Sequence, residues 1–226
     1  VKDPNEIQEV CGIVKSINAR QFRYTYENMF RIDLSPEPYF IQSKIDKTSI
    51  KFGKIFAASW GARGVPVEKF HLDTPINRHC KKMIKGNNID RYELEYSDKW
   101  LLYAPEILYR PSMTAFFDNA KIVFQKVTGN HGLIGTFDDN GFYTDDSLIC
   151  CIPKYLFEEF NERILRKHKI FISLEEVNLS RKYNFLYVLA VMNSVVNGFY
   201  FKNFVGYDLN TYPENIEYLP SERCHL

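Results

Sequence analysis

The chain has 226 residues, 45% of them hydrophobic and 15% aromatic, and its 29 Lys and Arg against 28 Asp and Glu leave a formal charge of +1. That composition fits a soluble chain with a packed core and excludes both a disordered segment and a polybasic tail. At about 150 residues per domain the length corresponds to about one and a half domains.

The chain opens on Asp3-Pro4, a helix-start pattern without a charged and apolar leader, and is expected to be a piece of a longer polypeptide. Ile7, Val10, Val14 and Ile17 recur at helical spacing, which predicts a short amphipathic helix from Pro4 to about Ile17. Tyr24 to Leu34 is rich in aromatics and ends at Ser35-Pro36-Glu37-Pro38, expected to be a stiff extended turn at the edge of a subregion.

Lys44, Ile45 and Lys47 follow at helical spacing, and Phe52 to Trp60 then runs apolar into Gly61-Ala62-Arg63-Gly64, the pattern of a strand feeding a glycine-containing loop. Tyr92, Leu94 and Tyr96 alternate with Glu93 and Glu95 before a second run from Trp100 to Tyr103, which predicts an antiparallel hairpin. A short helix is expected within Pro111 to Asn119. Four short strands should then lie over 121–128, 133–137, 142–144 and 147–152, separated by glycine, asparagine and aspartate turns, as one antiparallel sheet.

After Pro153 the pattern becomes helical. Leu156, Phe157, Phe160, Ile164 and Leu165 form one stripe, and Tyr183 to Lys202 reads as a single buried helix. Its charge-free stretch contains Asn184, Asn193, Ser194 and Asn197, polar groups that disfavour a membrane span. The expected fold class is α+β, a central antiparallel sheet of short strands and hairpins flanked by helices.

Catalytic templates are missing from the sequence. It has no Glu-x-Lys or Asp-x-Lys for a metal-dependent nuclease core, no Gly-x-Ser-x-Gly elbow, no P-loop and no Asn-Pro-Pro-aromatic loop of an adenine methyltransferase. Gly129, Gly132 and Gly135 join two predicted strands and do not open a helix, so a hairpin connection is favoured over a phosphate cradle. Asp138, Asp139, Asp145 and Asp146 miss the order of a calcium loop, and Asn140-Gly141 points instead to a tight turn. The five cysteines include no Cys-x-x-Cys, and adjacent pairs such as Cys150-Cys151 fit free buried thiols better than zinc or a disulfide framework, hence an intracellular, reduced protein.

Positive charge is local. Arg78, Lys81, Lys82, Lys85 and Arg91 face Asp90 alone across 78–91, interleaved with Gly86-Asn87-Asn88, residues suited to close backbone approach and to hydrogen bonds with base edges. The cations of 163–169 are better explained as a solvated helix face.

The order of segments then resembles a known family. Met83 to Tyr92, Trp100-Leu101-Leu102-Tyr103, Tyr109-Arg110-Pro111, Asn119 to Val123, Thr136 to Ser147, Leu189 to Ser194 and Asn215 to Pro220 together resemble the TaqI-like C-terminal specificity domain over about residues 50 to 220. This is the target-recognition region of restriction-modification adenine methyltransferases. The resemblance implies a DNA target-recognition domain over 41–226, preceded by a linker or docking segment over 1–40. It implies double-stranded DNA as a partner, with an attached adenine-N6 methyltransferase domain, possessing or lacking nuclease activity, in the same polypeptide. That domain would use S-adenosylmethionine, and no cofactor, metal, membrane or catalytic residue is assigned to this chain; a prokaryotic cytoplasm is the implied location.

Within that frame Lys81, Lys82, Lys85 and Lys126 are candidates for phosphate contacts, and Asn87, Asn88, Arg91, Arg110, Asn130 and His131 for base edges. Tyr143 and Thr144 are candidates for thymine methyl groups, and Arg110 has the further option of pairing with an acid inside the fold. The alternative function is a protein-interaction or scaffold module of a phage-defence methyltransferase system, without sequence readout of its own.

Overall fold

A computed structural model describes residues 26–28, 34, 36–128, 132–206 and 210–223; the helix expected over 4–17 lies outside them. In chain order the elements are α1 (Pro36–Thr48), β1 (Ser49–Lys51), β2 (Phe56–Trp60), β3 (His71–Leu72), β4 (Cys80–Ile84), β5 (Ile89–Asp90), β6 (Glu93–Leu94), β7 (Lys99–Leu102), α2 (Ala115–Asp118), β8 (Lys121–Gln125), β9 (Gly135–Asp138), β10 (Tyr143–Thr144) and β11 (Leu148–Pro153). There follow α3 (Glu162–Lys167), α4 (Leu174–Ser180), α5 (Phe185–Met192), α6 (Val195–Tyr200), α7 (Pro213–Tyr218) and β12 (Pro220–Arg223). The fold is α+β.

Four strands in the order β2-β11-β8-β9 form a wholly antiparallel central sheet. Its side chains alternate between two cores, as the period of a strand requires. Ile149 and Cys151 of β11, Ile122 and Phe124 of β8 and Phe56 of β2 face a helical layer in which Val188, Leu189, Met192, Tyr200, Phe204 and Ile216 are buried. Leu148, Cys150, Ile152, Val123 and Ala57 face the other way, onto Met83, Leu101, Phe116, Phe117 and Tyr143. Full burial of one such large side chain contributes about 1.5–3 kcal/mol. Strands buried on both faces read as continuous apolar runs, which is why Leu148–Ile152 carries no polar residue. The expected buried thiols are found at Cys80, Cys150 and Cys151.

The second core is closed by a mixed sheet in the order β10-β4-β7-β3. Here the expected pairing changes in two places. The run from Trp100 pairs with β4 and β3, while Glu93–Leu94 turns back onto Ile89–Asp90, so the hairpin predicted between 92–96 and 100–103 is replaced by two separate pairings. Tyr92 and Asp98, both at positive φ, end the short β6 excursion at either side. Tyr143–Thr144 leaves the expected four-stranded sheet and pairs in parallel with Met83–Ile84. The Asn140-Gly141 turn, with Gly141 at φ +70, is therefore a bend between two sheets and not the tip of a closed hairpin. The β8–β9 connection containing Gly132 does join an antiparallel pair, as the glycine spacing suggested.

Three expectations for the helical segments also change. Pro36-Glu37-Pro38 opens α1 in place of forming an extended turn, because a first-turn N–H has no helical acceptor and proline loses nothing by lacking one. α1 then runs across residue 40, and Tyr39 is buried against Phe204. The single helix predicted over 183–202 is broken at Asn193-Ser194. Asn184 caps α5 by accepting from Leu186 N and Tyr187 N, Ser194 caps α6 by accepting from Asn197 N, and the two parts meet at a 49° bend. No single helix among the described residues is long and apolar enough to cross a membrane. The stripe from Leu156 to Leu165 likewise divides into a 3-10 turn at Lys154–Phe157 and α3.

Candidate nucleic-acid interface

The basic segment is built on β4 and the turn after it. Lys81 and Lys82 are both exposed. Successive strand residues point to opposite faces, and the two amines do diverge: Lys81 Nζ sits 5.6 Å from the Tyr143 ring centre and Lys82 Nζ 5.4 Å from that of Tyr96. Beyond β4 the chain makes a 3-10 turn over Gly86–Asn88. Asn88 is buried and shapes it: its Oδ1 accepts from Lys85 N at 2.8 Å and its Nδ2 donates to Ser97 Oγ at 2.9 Å. With its amide committed, Asn88 supports the turn and leaves the exposed Asn87 at its tip.

Contacts from two other segments hold this turn. Gly86 N donates to Ser147 Oγ at 2.8 Å, and Gln125 Nε2 donates to the carbonyls of Gly86 and Ile89, each at 2.8 Å. Lys126, the neighbour of Gln125, thereby comes up beside the 145–147 turn, where its N–H donates to Ser147 O. Its Nζ lies 5.0 Å from the Trp60 ring centre, and the Arg110 guanidinium lies 5.3 Å from the same ring. The structure thus brings Lys85, Asn87, Arg110 and Lys126 around the 145–147 turn.

Arg110 does pair with an acid: its Nη2 is 3.4 Å from Asp146 Oδ2. Burial holds its pKa below the ordinary arginine value, with Arg63 pushing the same way and Asp146 opposing. Arg91 is half-buried, and its Nε donates to Leu133 O at 3.1 Å. Asn130 and His131 lie outside the described residues. His71 on β3 lies close enough to Lys85 to feel its charge; burial first, and then that amine, lower its pKa from 6.5, against the opposing pull of Asp145, Asp146 and Glu68.

Tyr143 and Thr144 do not meet the expectation of contact with thymine methyls. Both are buried: Tyr143 donates its hydroxyl to Asp118 Oδ1 at 2.9 Å, and Thr144 Oγ1 shares a 3.1 Å hydrogen bond with Cys150 Sγ. The parallel pairing with β4 turns this segment inward, so it forms the wall behind the basic strand. Three residues absent from the sequence candidates join the cluster instead: Trp60, Arg63 and Tyr109. Trp60 precedes the glycine-containing loop, Arg63 lies within it and Tyr109 adjoins Arg110-Pro111, so each lies in a segment the sequence had marked.

This stretch also carries a likeness to a known family. Residues 81–168 match the family model of the TaqI-like C-terminal specificity domain. The match spans β4 to α3, inside the wider region of resemblance, and so includes Lys81, Lys82, the Gly86–Asn88 turn, Arg110, Lys126 and the 145–147 turn. No curated protein matches the chain. A TaqI-like specificity domain is a DNA-sequence-recognition module of restriction-modification systems, and residues 81–168 are similar to such a module. Trp60 and Arg63 come from outside the matched stretch and are folded onto its surface.

Proposed function

We propose that the chain reads a short sequence in duplex DNA and sets an attached adenine-N6 methyltransferase domain, in a type II restriction-modification enzyme of a prokaryotic cytoplasm, on its target. The observation that carries this reading is the assembly of Lys85, Asn87, Arg110 and Lys126 around one turn inside the matched stretch. Lysine and arginine position a protein on phosphates, while asparagine discriminates base edges in the major groove. The attached domain would flip the adenine out and take the methyl group from S-adenosylmethionine. The glycine-containing loop after β2 is packed against its neighbours: a Cβ at Gly61 would meet Asp145 O at 1.9 Å and one at Gly64 the Phe70 ring at 2.1 Å.

Selection of bound duplexes from a random pool tests the reading. Enrichment of one short motif is expected. A second reading, a scaffold of a phage-defence system, is favoured by the exposed apolar residues Leu186, Val195 and Val196 on α5 and α6, and binding without enrichment would support it.

A further inference from the structure

Arg63 and Arg110 face each other across an isolated antiparallel bridge, with Arg63 N donating to Arg110 O at 2.8 Å and Arg110 N to Arg63 O at 3.1 Å. Residues so paired carry their side chains on the same side of the ladder, about 5.5 Å apart at Cα. Like charges opposite one another are destabilising there. Among the described residues the acid paired with them is Asp146, and both guanidinium groups use the same oxygen: Arg63 Nη1 is 3.5 Å and Arg110 Nη2 3.4 Å from Asp146 Oδ2.

This is a poor geometry for a structural ion pair. Charge-assisted hydrogen bonds of arginine run to about 2.7–2.9 Å and are often bidentate. Here one carboxylate oxygen is shared at the outer limit, so one positive charge stays uncompensated. The guanidinium planes are held by other means. Arg63 lies 5.7 Å from the Tyr109 ring centre and Arg110 5.3 Å from that of Trp60, contacts that orient a cation without consuming its N–H donors. Arg110 Nε is buried and has no hydrogen-bond partner among the described residues. Lys126, on the same tryptophan ring, adds a third cation. Asp145, the adjacent acid, is occupied with Ser147 N and Oγ.

Two planar forks, oriented by aromatic rings and joined by a weak single-oxygen contact, suit a larger oxyanion than a carboxylate. Resting on the DNA reading above, we propose that Arg63 and Arg110 form a clamp for one phosphate of the duplex backbone, and that Asp146 occupies the position of a phosphate oxygen until DNA displaces it. The clamp extends the DNA-facing surface from the basic strand to the loop after β2, beyond the matched stretch. Asp146 keeps the two arginines aligned in the free protein and weakens their attraction for anions that do not fit between them.

The test is binding of the full chain to a 20-base-pair duplex, followed by fluorescence anisotropy over a range of KCl concentrations. Arg63→Gln, at a half-exposed side chain, should weaken binding about tenfold on every duplex and lower the slope of log K against log salt by about 1. Asp146→Asn should tighten binding several-fold. An unchanged affinity for Arg63→Gln, or weaker binding by Asp146→Asn in a chain that unfolds at the wild-type temperature, overturns the clamp. Tyr109→Phe, which keeps the ring, should bind as wild type, and Tyr109→Ala should lose part of the affinity; equal loss in both overturns the role of the ring. If the wild-type chain binds no duplex at low salt, the DNA reading falls along with the clamp. If it binds, and the charge reversal of Lys81, Lys82 and Lys85 abolishes binding while Arg63→Gln has no effect, the clamp alone falls.

Discussion

Lys121 and Asp138 are both fully buried, with Nζ 2.6 Å from Oδ2. The pair is satisfied on every side: Lys121 Nζ also donates to Phe117 O at 2.8 Å, and Asp138 accepts from Asn140 N at 2.8 Å and Phe142 N at 3.1 Å. One ion pair therefore ties α2 to the bend that sends the chain from the central sheet to β10. Removing one partner strands the other charge in the core, which costs about 3–5 kcal/mol. Lys121→Met is expected to lose that much in urea unfolding, and Asp138→Asn added to it should recover part of the loss, since the two residues share one interaction. From sequence, Asp138 belonged to an acidic turn and Lys121 to a strand, and the Asn140-Gly141 turn was legible. That Asp138 points into the core was not, because an aspartate beside Asn-Gly carries the same local signal whether its carboxylate faces water or a buried amine.

At the scale of elements, most strands were visible as local patterns, while their partners were not. Alternation and turn residues mark where a strand lies, but pairing depends on contacts distant in sequence, such as Thr144 with Ile84 or Lys82 with Trp100. The helix break at Asn193-Ser194 was hidden for a related reason. Asparagine there looks like an interruption of an apolar stripe, and its purpose shows only in its two hydrogen bonds to Gly135, more than fifty residues away. Gly61 offers a test at this scale. It lies where the loop after β2 crosses Asp145, and Ala62 N donates to Thr144 O just beyond. Gly61→Ala forces the two backbones apart, with an expected loss of about 1–3 kcal/mol in unfolding free energy. It should also weaken duplex binding, because the same crossing brings Arg63 to Asp146.

For the molecule as a whole, the formal charge of +1 conceals an uneven distribution. The cations that matter sit on β4, on the turn after it and around Trp60, and attraction to a polyanion follows local potential more than net charge. Lys81→Glu/Lys82→Glu/Lys85→Glu should lower affinity on all sequences and flatten its salt dependence, measured by anisotropy at several KCl concentrations. Because Lys81 and Lys82 diverge, the single reversals should be unequal. Of the sequence candidates, the basic run and its glycine-asparagine turn were legible in composition alone; the arginines paired across Arg63 and Arg110 were not, since nothing in either segment announces the other. One further consequence concerns self-association. β9 is the last strand of the central sheet, and a strand in that position exposes backbone groups that recruit other chains. Gly135, opposite Phe124 but not bonded to it, turns its N–H and C=O outward, where the Asn193 side chain takes both and Tyr92 N reaches the same carbonyl. A side-chain amide thus imitates one rung of a missing strand, so the residue that breaks the helix also closes the sheet against intruders.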